Sequence, residues 1–341
     1  MTLVDLPAST QDLERYDGLA RNFALTSEVD ALTAEVAGAF GREGIETLVL
    51  KGPVLARWLY PGEVRPYIDS DLMVASRDRA RAVRVLERLE FAEYCPWKPA
   101  SLSLDAGGTA FSRGGGKWMV DLHCHLPGLD GDPDAIWGSV TASAERQVIG
   151  GVELRVPDRD AALLHVALHA AHHVNLIDGK PLEDLRRALA FVEEADWSNA
   201  LELARAFRGV PAFAAGLRLL PEGVDLAHRL GLGETQSLQY ALRREDVIAE
   251  ELYALLSADL GIGRKLAITV GHVFPRPDYM RWWSSLARRG KTGLTLAYVR
   301  RAIWLAGQAP DAIHTLWRIR RGKVRALSPR DRRTQRRQQR R

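Results

Sequence analysis

Residues 48–74 read LVLKGPVLARWLYPGEVRPYIDSDLMV, and the aspartates at 69 and 71 decide how the rest of the chain is read. Val49 and Leu50 continue a short apolar run from Ile45, and Lys51-Gly52-Pro53 interrupts it. Val54, Leu55, Trp58 and Leu59 then recur at helical spacing, which gives strand, tight turn, helix. After Tyr60-Pro61-Gly62 closes that helix, Ile68, Leu72, Met73 and Val74 frame a second strand. Side chains alternate faces along a strand, so Asp69 and Asp71, two apart, project together. Two carboxylates on one rigid face make a hard, oxygen-rich site suited to Mg²⁺. Beside a glycine turn at a helix N-terminus, such a site suits a metal-bound polyphosphate.

Working outward, residues 10–44 read as helices, with Leu13, Leu19 and Phe23, then Val29, Leu32, Val36 and Phe40 at three- and four-residue steps. Ser76 or Asp78 caps a helix with the stripe Ala82, Val83, Leu86 and Leu89, and 91–94 is a short strand. Residues 102–105 and 109–112 flank Ala106-Gly107-Gly108 as a hairpin. Gly114-Gly115-Gly116 leads into KWMVDLHCHL at 117–126, where Asp121, His123 and His125 share one face of a strand. Residues 148–156 form another strand. From Pro157 to about 317 the pattern is almost wholly helical, broken near Asp178-Gly179, Gly209-Pro211, Pro221-Glu222-Gly223 and Phe274-Pro275-Arg276-Pro277. The fold class is therefore α+β, with a C-terminal helical domain. The expected division is N-terminal helices at 1–44, a catalytic domain at 45–156, a helical domain at 157–317 and a basic tail at 318–341.

The ordered set Lys51-Gly52, Arg65 and Asp69-Ser70-Asp71-Leu72-Met73-Val74 resembles the uncharacterised nucleotidyltransferase family of the polymerase-beta-type superfamily. Members read L-K-G, a tyrosine-proline turn, R, then D-x-D-L-hydrophobic-V. The V-D-L-H run at 120–123 is similar to a strand of the same family, and the resemblance extends loosely over 45–285, through the HAAHH helix and FPRPDY. It implies a mixed nucleotidyltransferase-type sheet, Asp121 as a third carboxylate, and Asp69, Asp71 and Asp121 as catalytic metal ligands. Three carboxylates on adjacent strands suit two Mg²⁺ ions roughly 4 Å apart, or Mn²⁺. Lys51, Gly52 and Arg65 would bind the nucleotide, the cations neutralising phosphate and Gly52 allowing close approach. The superfamily has Gly-Gly or Gly-Ser where this chain has Gly52-Pro53. Pro53 suits the first helical position, but it leaves one fewer donor for phosphate. His123 and His125 either join Asp121 in a site for Mn²⁺ or Zn²⁺, or line the pocket.

The implied activity is metal-dependent transfer of a nucleoside monophosphate from an NTP to an acceptor, a small molecule, peptide or protein, with release of pyrophosphate. Rival readings are an RNA-modifying nucleotidyltransferase toxin and a non-catalytic nucleotide or nucleic-acid binding module. His165, His169 and His172 share a helix face that packs on the catalytic domain, with no Glu to complete an H-E-x-x-H metal motif. Trp282-Trp283 with Arg281, Arg288 and Arg289 suits either a helical core or stacking on bases.

The 341 residues suffice for two domains. Cys95 and Cys124 are the two cysteines, too few for a disulfide framework or a cysteine zinc site, which fits a reducing cytoplasm. No apolar run approaches the ~20 residues needed to span a bilayer, and the first ten residues lack a signal-peptide pattern. The net charge of +4 conceals a tail, 318–341, holding twelve basic residues and one acid, so residues 1–317 carry −7. The tail is expected to be disordered, because it has too little apolar content to pack, and to meet nucleic acid or another polyanion through phosphate. Deleting the chain from Arg325 onward should leave the melting temperature unchanged and flatten the salt dependence of polyanion binding. A large drop in melting temperature would show the tail folded into the body.

Overall fold

The computed structural model describes residues 10–94, 108–173, 179–233 and 237–321. The expected strand at 102–105, Cys95 and the tail from 322 lie outside them. Strands β1 (Thr47–Val49), β2 (Ser70–Val74), β3 (Ala92–Glu93), β4 (Gly108–Arg113) and β5 (Trp118–His123) form one mixed sheet in the order β1-β2-β5-β4-β3. Every pairing in it is antiparallel except that of β2 with β5, which is parallel. A parallel neighbour requires a crossover, and the chain between β2 and β5 supplies it. Asp69 sits in a bend one residue ahead of β2, and β5 ends at His123, before His125.

The alternation along β2 sorts its side chains. Leu72 and Val74 join Val49, Val120 and Leu122 in a core with Val36 and Phe40 of α1 (Thr10–Arg42) and Leu86 of α3 (Arg79–Arg88). Ser70 points to the same side, where its hydroxyl meets that of Thr33 at 2.8 Å. Asp71 therefore faces the other way. The N-terminal segment, read as more than one helix, is a single helix to Arg42. The strand expected at 148–156 is instead a hairpin, β6 (Glu145–Ile149) and β7 (Val152–Val156). Gly150 and Gly151, at φ 55° and 80°, supply the two positive-φ residues of a tight hairpin turn, and a glycine pair inside an apolar run conceals that break.

Between β1 and β2 runs α2 (Pro53–Leu59), with Pro53 at its start as expected. The site-bearing unit ends at Gln236 and includes α4 (Pro133–Ala142), α5 (Arg159–His172), α6 (Lys180–Phe191), α7 (Glu194–Ala206), α8 (Val210–Leu217) and α9 (Pro221–Arg229). The helices from 157 to 229, assigned by sequence to a separate domain, thus share one compact unit with the sheet. Its second unit, from Ser237, holds α10 (Leu238–Glu245), α11 (Val247–Ser257), α12 (Ile262–Val273), α13 (Pro277–Trp283) and α14 (Gly290–Arg320). There Leu242 and Ala249 pack on Ala312, Leu316 and Ile319, while buried Glu250 accepts from Arg243 at 3.2 Å and Gln239 at 2.8 Å.

The segment entering β2 is tied to α6 by a buried knot. The Arg65 guanidinium donates through Nε and Nη2 to the two Asp184 oxygens at 2.8 and 2.6 Å, and the Tyr60 hydroxyl donates to the same carboxylate at 2.8 Å. With the Arg65 and Asp184 side chains 5% and 1% exposed, each charge depends on the other. Asp184→Ala should cost about 3–5 kcal/mol by leaving Arg65 buried and unpaired, read as a lowered denaturant midpoint. Replacing both residues with apolar ones of similar size should recover much of that loss. An unchanged midpoint in the single variant would mean that the knot holds nothing in place.

Candidate active site

The parallel register sets Asp71 directly beside Asp121, and Met73 beside His123. Adjacent strands lie about 4.8 Å apart, so two side chains on one face at the same level converge. One ligand atom each from Asp71, Asp121 and His123 lies within 4.8 Å of the others, the one such cluster among the described residues. His123 Nε2 is 3.3 Å from Asp71 Oδ1. Its ring occupies space that Gly108, opposite it on β4, leaves open, for a Cβ at 108 would stand 2.8 Å from the imidazole. Asp69, at the mouth of the strand, stays outside this cluster but shares its field. Burial, then the Asp71 charge, raises the Asp69 pKa.

Lys51 closes the arrangement from the turn between β1 and α2. Leu50 N–H donates to the Asp71 carbonyl at 3.0 Å, one step past the end of β1, and this holds Lys51 at the level of the carboxylates. Its Nζ is 2.6 Å from Asp71 Oδ1. Burial opposes charge on Asp71, but the Lys51 ammonium and the His123 contact outweigh it, so the carboxyl is held well below its usual range. Burial likewise opposes charge on Lys51, and Asp71 more than compensates. Asp121 has no such partner. Burial and the neighbouring Asp71 push its pKa up to about 6.

The remaining predicted residues fall in different places. Gly52 is buried at φ 53°, and the close approach it permits is to the Tyr67 ring, 3.3 Å from where its Cβ would be. Tyr67 in turn donates to Asp30 of α1 at 2.6 Å. Arg65 is engaged by Asp184 rather than turned toward the carboxylates. His125 lies just beyond β5, with its pKa lowered by burial and by His123. Of the α5 histidines, His165 is buried, hydrogen-bonds the Leu50 backbone and feels Lys51, His123 and Asp71. Burial and the Lys51 charge lower its pKa to about 3, which keeps the ring neutral. His169 stacks edge-on behind it at 5.9 Å between ring centres.

Two contributors escaped sequence reasoning. His165 was placed on a helix face, but its contact with the Lys51 turn was not foreseen. Lys180, the first residue of α6, was not singled out at all. Its exposed ammonium donates to the Pro66 carbonyl at 3.2 Å, three residues before Asp69, and lies in the field of Asp69 and Asp71. The single signal was a lysine at a predicted helix start, where a cation opposes the helix dipole and is therefore placed for some other reason.

The comparisons bear on what such a site is for. No curated protein sequence matches the chain. One solved structure, the solution structure of the antibiotic-resistance factor ANT(2'')-Ia, is similar over 54% of this chain and 92% of its own, at 19% identity and a TM-score of 0.38. A likeness that loose carries no argument. The match with weight is to the family described as uncharacterised nucleotidyltransferase, which spans residues 15–224 and so takes in the sheet, the carboxylates and helices α5 to α8. The chain belongs to that family and is an enzyme of the nucleotidyltransferase class.

Proposed function

We propose that the enzyme transfers a nucleoside monophosphate from a metal-bound NTP to a nucleophilic acceptor, a small molecule, peptide or protein, with release of pyrophosphate. The observation that carries this reading is the register of β2 and β5, which sets Asp71 and Asp121 side by side with the Lys51 ammonium on Asp71. The residues present suit a divalent cation. Two carboxylates and an imidazole nitrogen converge, with Asp69 adjacent, and the position against Asp71 already attracts a positive charge. Carboxylate oxygens suit Mg²⁺, and the His123 nitrogen makes Mn²⁺ equally acceptable. When bound, the metal neutralises triphosphate charge and acidifies the attacking oxygen.

The chain's own groups would then act as follows. Asp71, Asp121 and His123 would hold the metal, with Asp69 at its margin. Asp121, the carboxylate of the pair that carries no lysine partner, takes the acceptor's proton as the new bond to the α-phosphorus forms. The α–β phosphoanhydride bond breaks, and pyrophosphate leaves with its electrons. Lys51 holds Asp71 ionised and in place. With Arg65 committed to Asp184, Lys180 is the cation placed to meet the outer phosphates.

The test is incubation of the protein with labelled NTP and a cell lysate. A labelled small molecule or polypeptide supports the reading, whereas labelled RNA or no labelled product counts against it. Asp71→Asn should abolish transfer while the protein stays folded, because Asp69 and Asp121 remain as counter-charges to Lys51. Retained transfer would remove Asp71 from the site.

The pH dependence has a definite sign. Asp121 titrates at about 6 in the metal-free fold, above the ordinary ~3.9, so the stability it contributes is complete below ~4 and is lost as pH rises through 6. Metal must displace that proton, so affinity should climb across the same window. The increase in melting temperature on adding Mn²⁺ should therefore grow from about pH 4 to about pH 6, the span set by these two pKa values, and level off above it. An increase that stays constant would argue against Asp121 as a ligand. Lys180→Met should weaken NTP binding about tenfold or more by removing a charge-assisted contact, and Lys180→Arg should keep most of it. Unchanged affinity in Lys180→Met, measured by calorimetry, would place the phosphates elsewhere.

A further inference from the structure

The unit from Ser237 onward combines strong positive charge with exposed apolar side chains. Residues 237–341 hold 23 basic and 8 acidic side chains, a balance of +15, whereas residues 1–236 hold 24 and 35, a balance of −11. Within 261–321 alone, twelve basic residues stand against Asp278 and Asp311. The same segment exposes large apolar side chains. Helix α12 buries none of its residues, although Ile262, Leu266 and Val270 line up one turn apart, the first two 86% and 61% exposed. On α14, Leu296, Val299, Ile303, Ile313 and Trp317 are all exposed and fall within a sector of about 100°. Trp282 and Trp304 are exposed as well.

A helix normally turns such a stripe toward a core, and an exposed patch of this kind marks an interaction surface. The chemistry selects among occupants. Nucleic acid would satisfy the arginines and lysines through phosphate but leave Ile262, Leu266 and Ile303 in water. A second copy would bring the same positive charge against this one. A lipid surface with anionic headgroups meets both needs at once, with phosphates for the basic residues and the acyl boundary for the aliphatic ones. Tryptophan favours that boundary because its ring is apolar and its N–H is polar. Among the described residues no helix is long and apolar enough to cross a membrane, so the contact is one of lying on the surface.

We infer that the C-terminal unit docks the enzyme on an anionic lipid bilayer through the exposed apolar stripes of α12 and α14, with the surrounding basic residues and the tail supplying long-range attraction. This inference stands apart from the transfer chemistry and does not require it.

The experiment is co-sedimentation of the full-length protein with vesicles of phosphatidylcholine, alone or with phosphatidylglycerol, together with tryptophan emission. Binding to the anionic vesicles, weakening as salt is added and accompanied by a blue shift, is expected. Ile262→Asp with Leu266→Asp should lower the partition coefficient at least about tenfold, since two aliphatic side chains no longer enter the interface. Both residues are exposed and touch no core, so the melting temperature should hold. Truncation after Arg321 should weaken binding but not abolish it. Absence of binding to anionic vesicles at low salt would overturn the inference. So would a truncation that abolishes binding while the aspartate substitutions leave it unchanged, for the tail alone would then be the binding element. Competition by RNA that the aspartate substitutions do not alter would overturn it in favour of nucleic acid.

Discussion

Repulsion among Asp69, Asp71 and Asp121 is the constraint around which the first unit is arranged. Three neighbouring carboxylates, two on adjacent strands and one just ahead of them, cannot all stay ionised without positive charge nearby. The fold sets the Lys51 ammonium directly on Asp71 at 2.6 Å. The result is a division of labour among like groups: Asp71 is held ionised, while Asp121 and Asp69 are driven toward the protonated state. A surface short of positive charge in this way favours a divalent cation and the polyphosphate that accompanies it. Neutral His165 beneath the Lys51 turn fits the same balance, since burial and the Lys51 charge both oppose a charged imidazole there.

Holding that strip requires a rigid frame, and here the basic residues divide between structure and chemistry. Arg65 has a planar fork that matches a carboxylate, and it is spent on Asp184, fixing the path from α2 into β2 to helix α6. Arg187 reinforces the same corner, donating to Glu63 at 2.8 Å and lying over the Tyr60 ring at 4.1 Å. Lys180, on the same helix but held by one neutral carbonyl, keeps donors to spare. A buried bidentate pair suits permanent architecture, and a half-hydrated ammonium suits a ligand that must arrive and leave.

The two units differ in kind. The first is acidic and buries its helices around the sheet. The second is strongly basic, with small cores such as Met280, Ala287 and Ala297 and long apolar stripes left outside them. Charge and exposed apolar surface in one segment act at different ranges, charge drawing an anionic surface from a distance and apolar contact acting only once there.

Local pattern determined much of this protein. The period of two placed Asp71, and Asp121 with His123, each on one face of a strand, and Pro53 after Gly52 marked a helix start. The family motif was legible for the same reason, since strand, turn and helix carry it within about thirty residues. What sequence left open involves partners far along the chain. Whether Arg65 meets phosphate or carboxylate depends on Asp184, 119 residues away, and nothing local to either residue encodes their meeting. The parallel pairing that sets Asp71 beside Asp121 is likewise a long-range register, fixed by burial of Leu72, Val74, Val120 and Leu122 against α1 and α3. His165 and Lys180 reach the site because helices from beyond residue 157 pack beside the sheet. Periodicity specifies which way a side chain faces, but only the packed core decides what it faces.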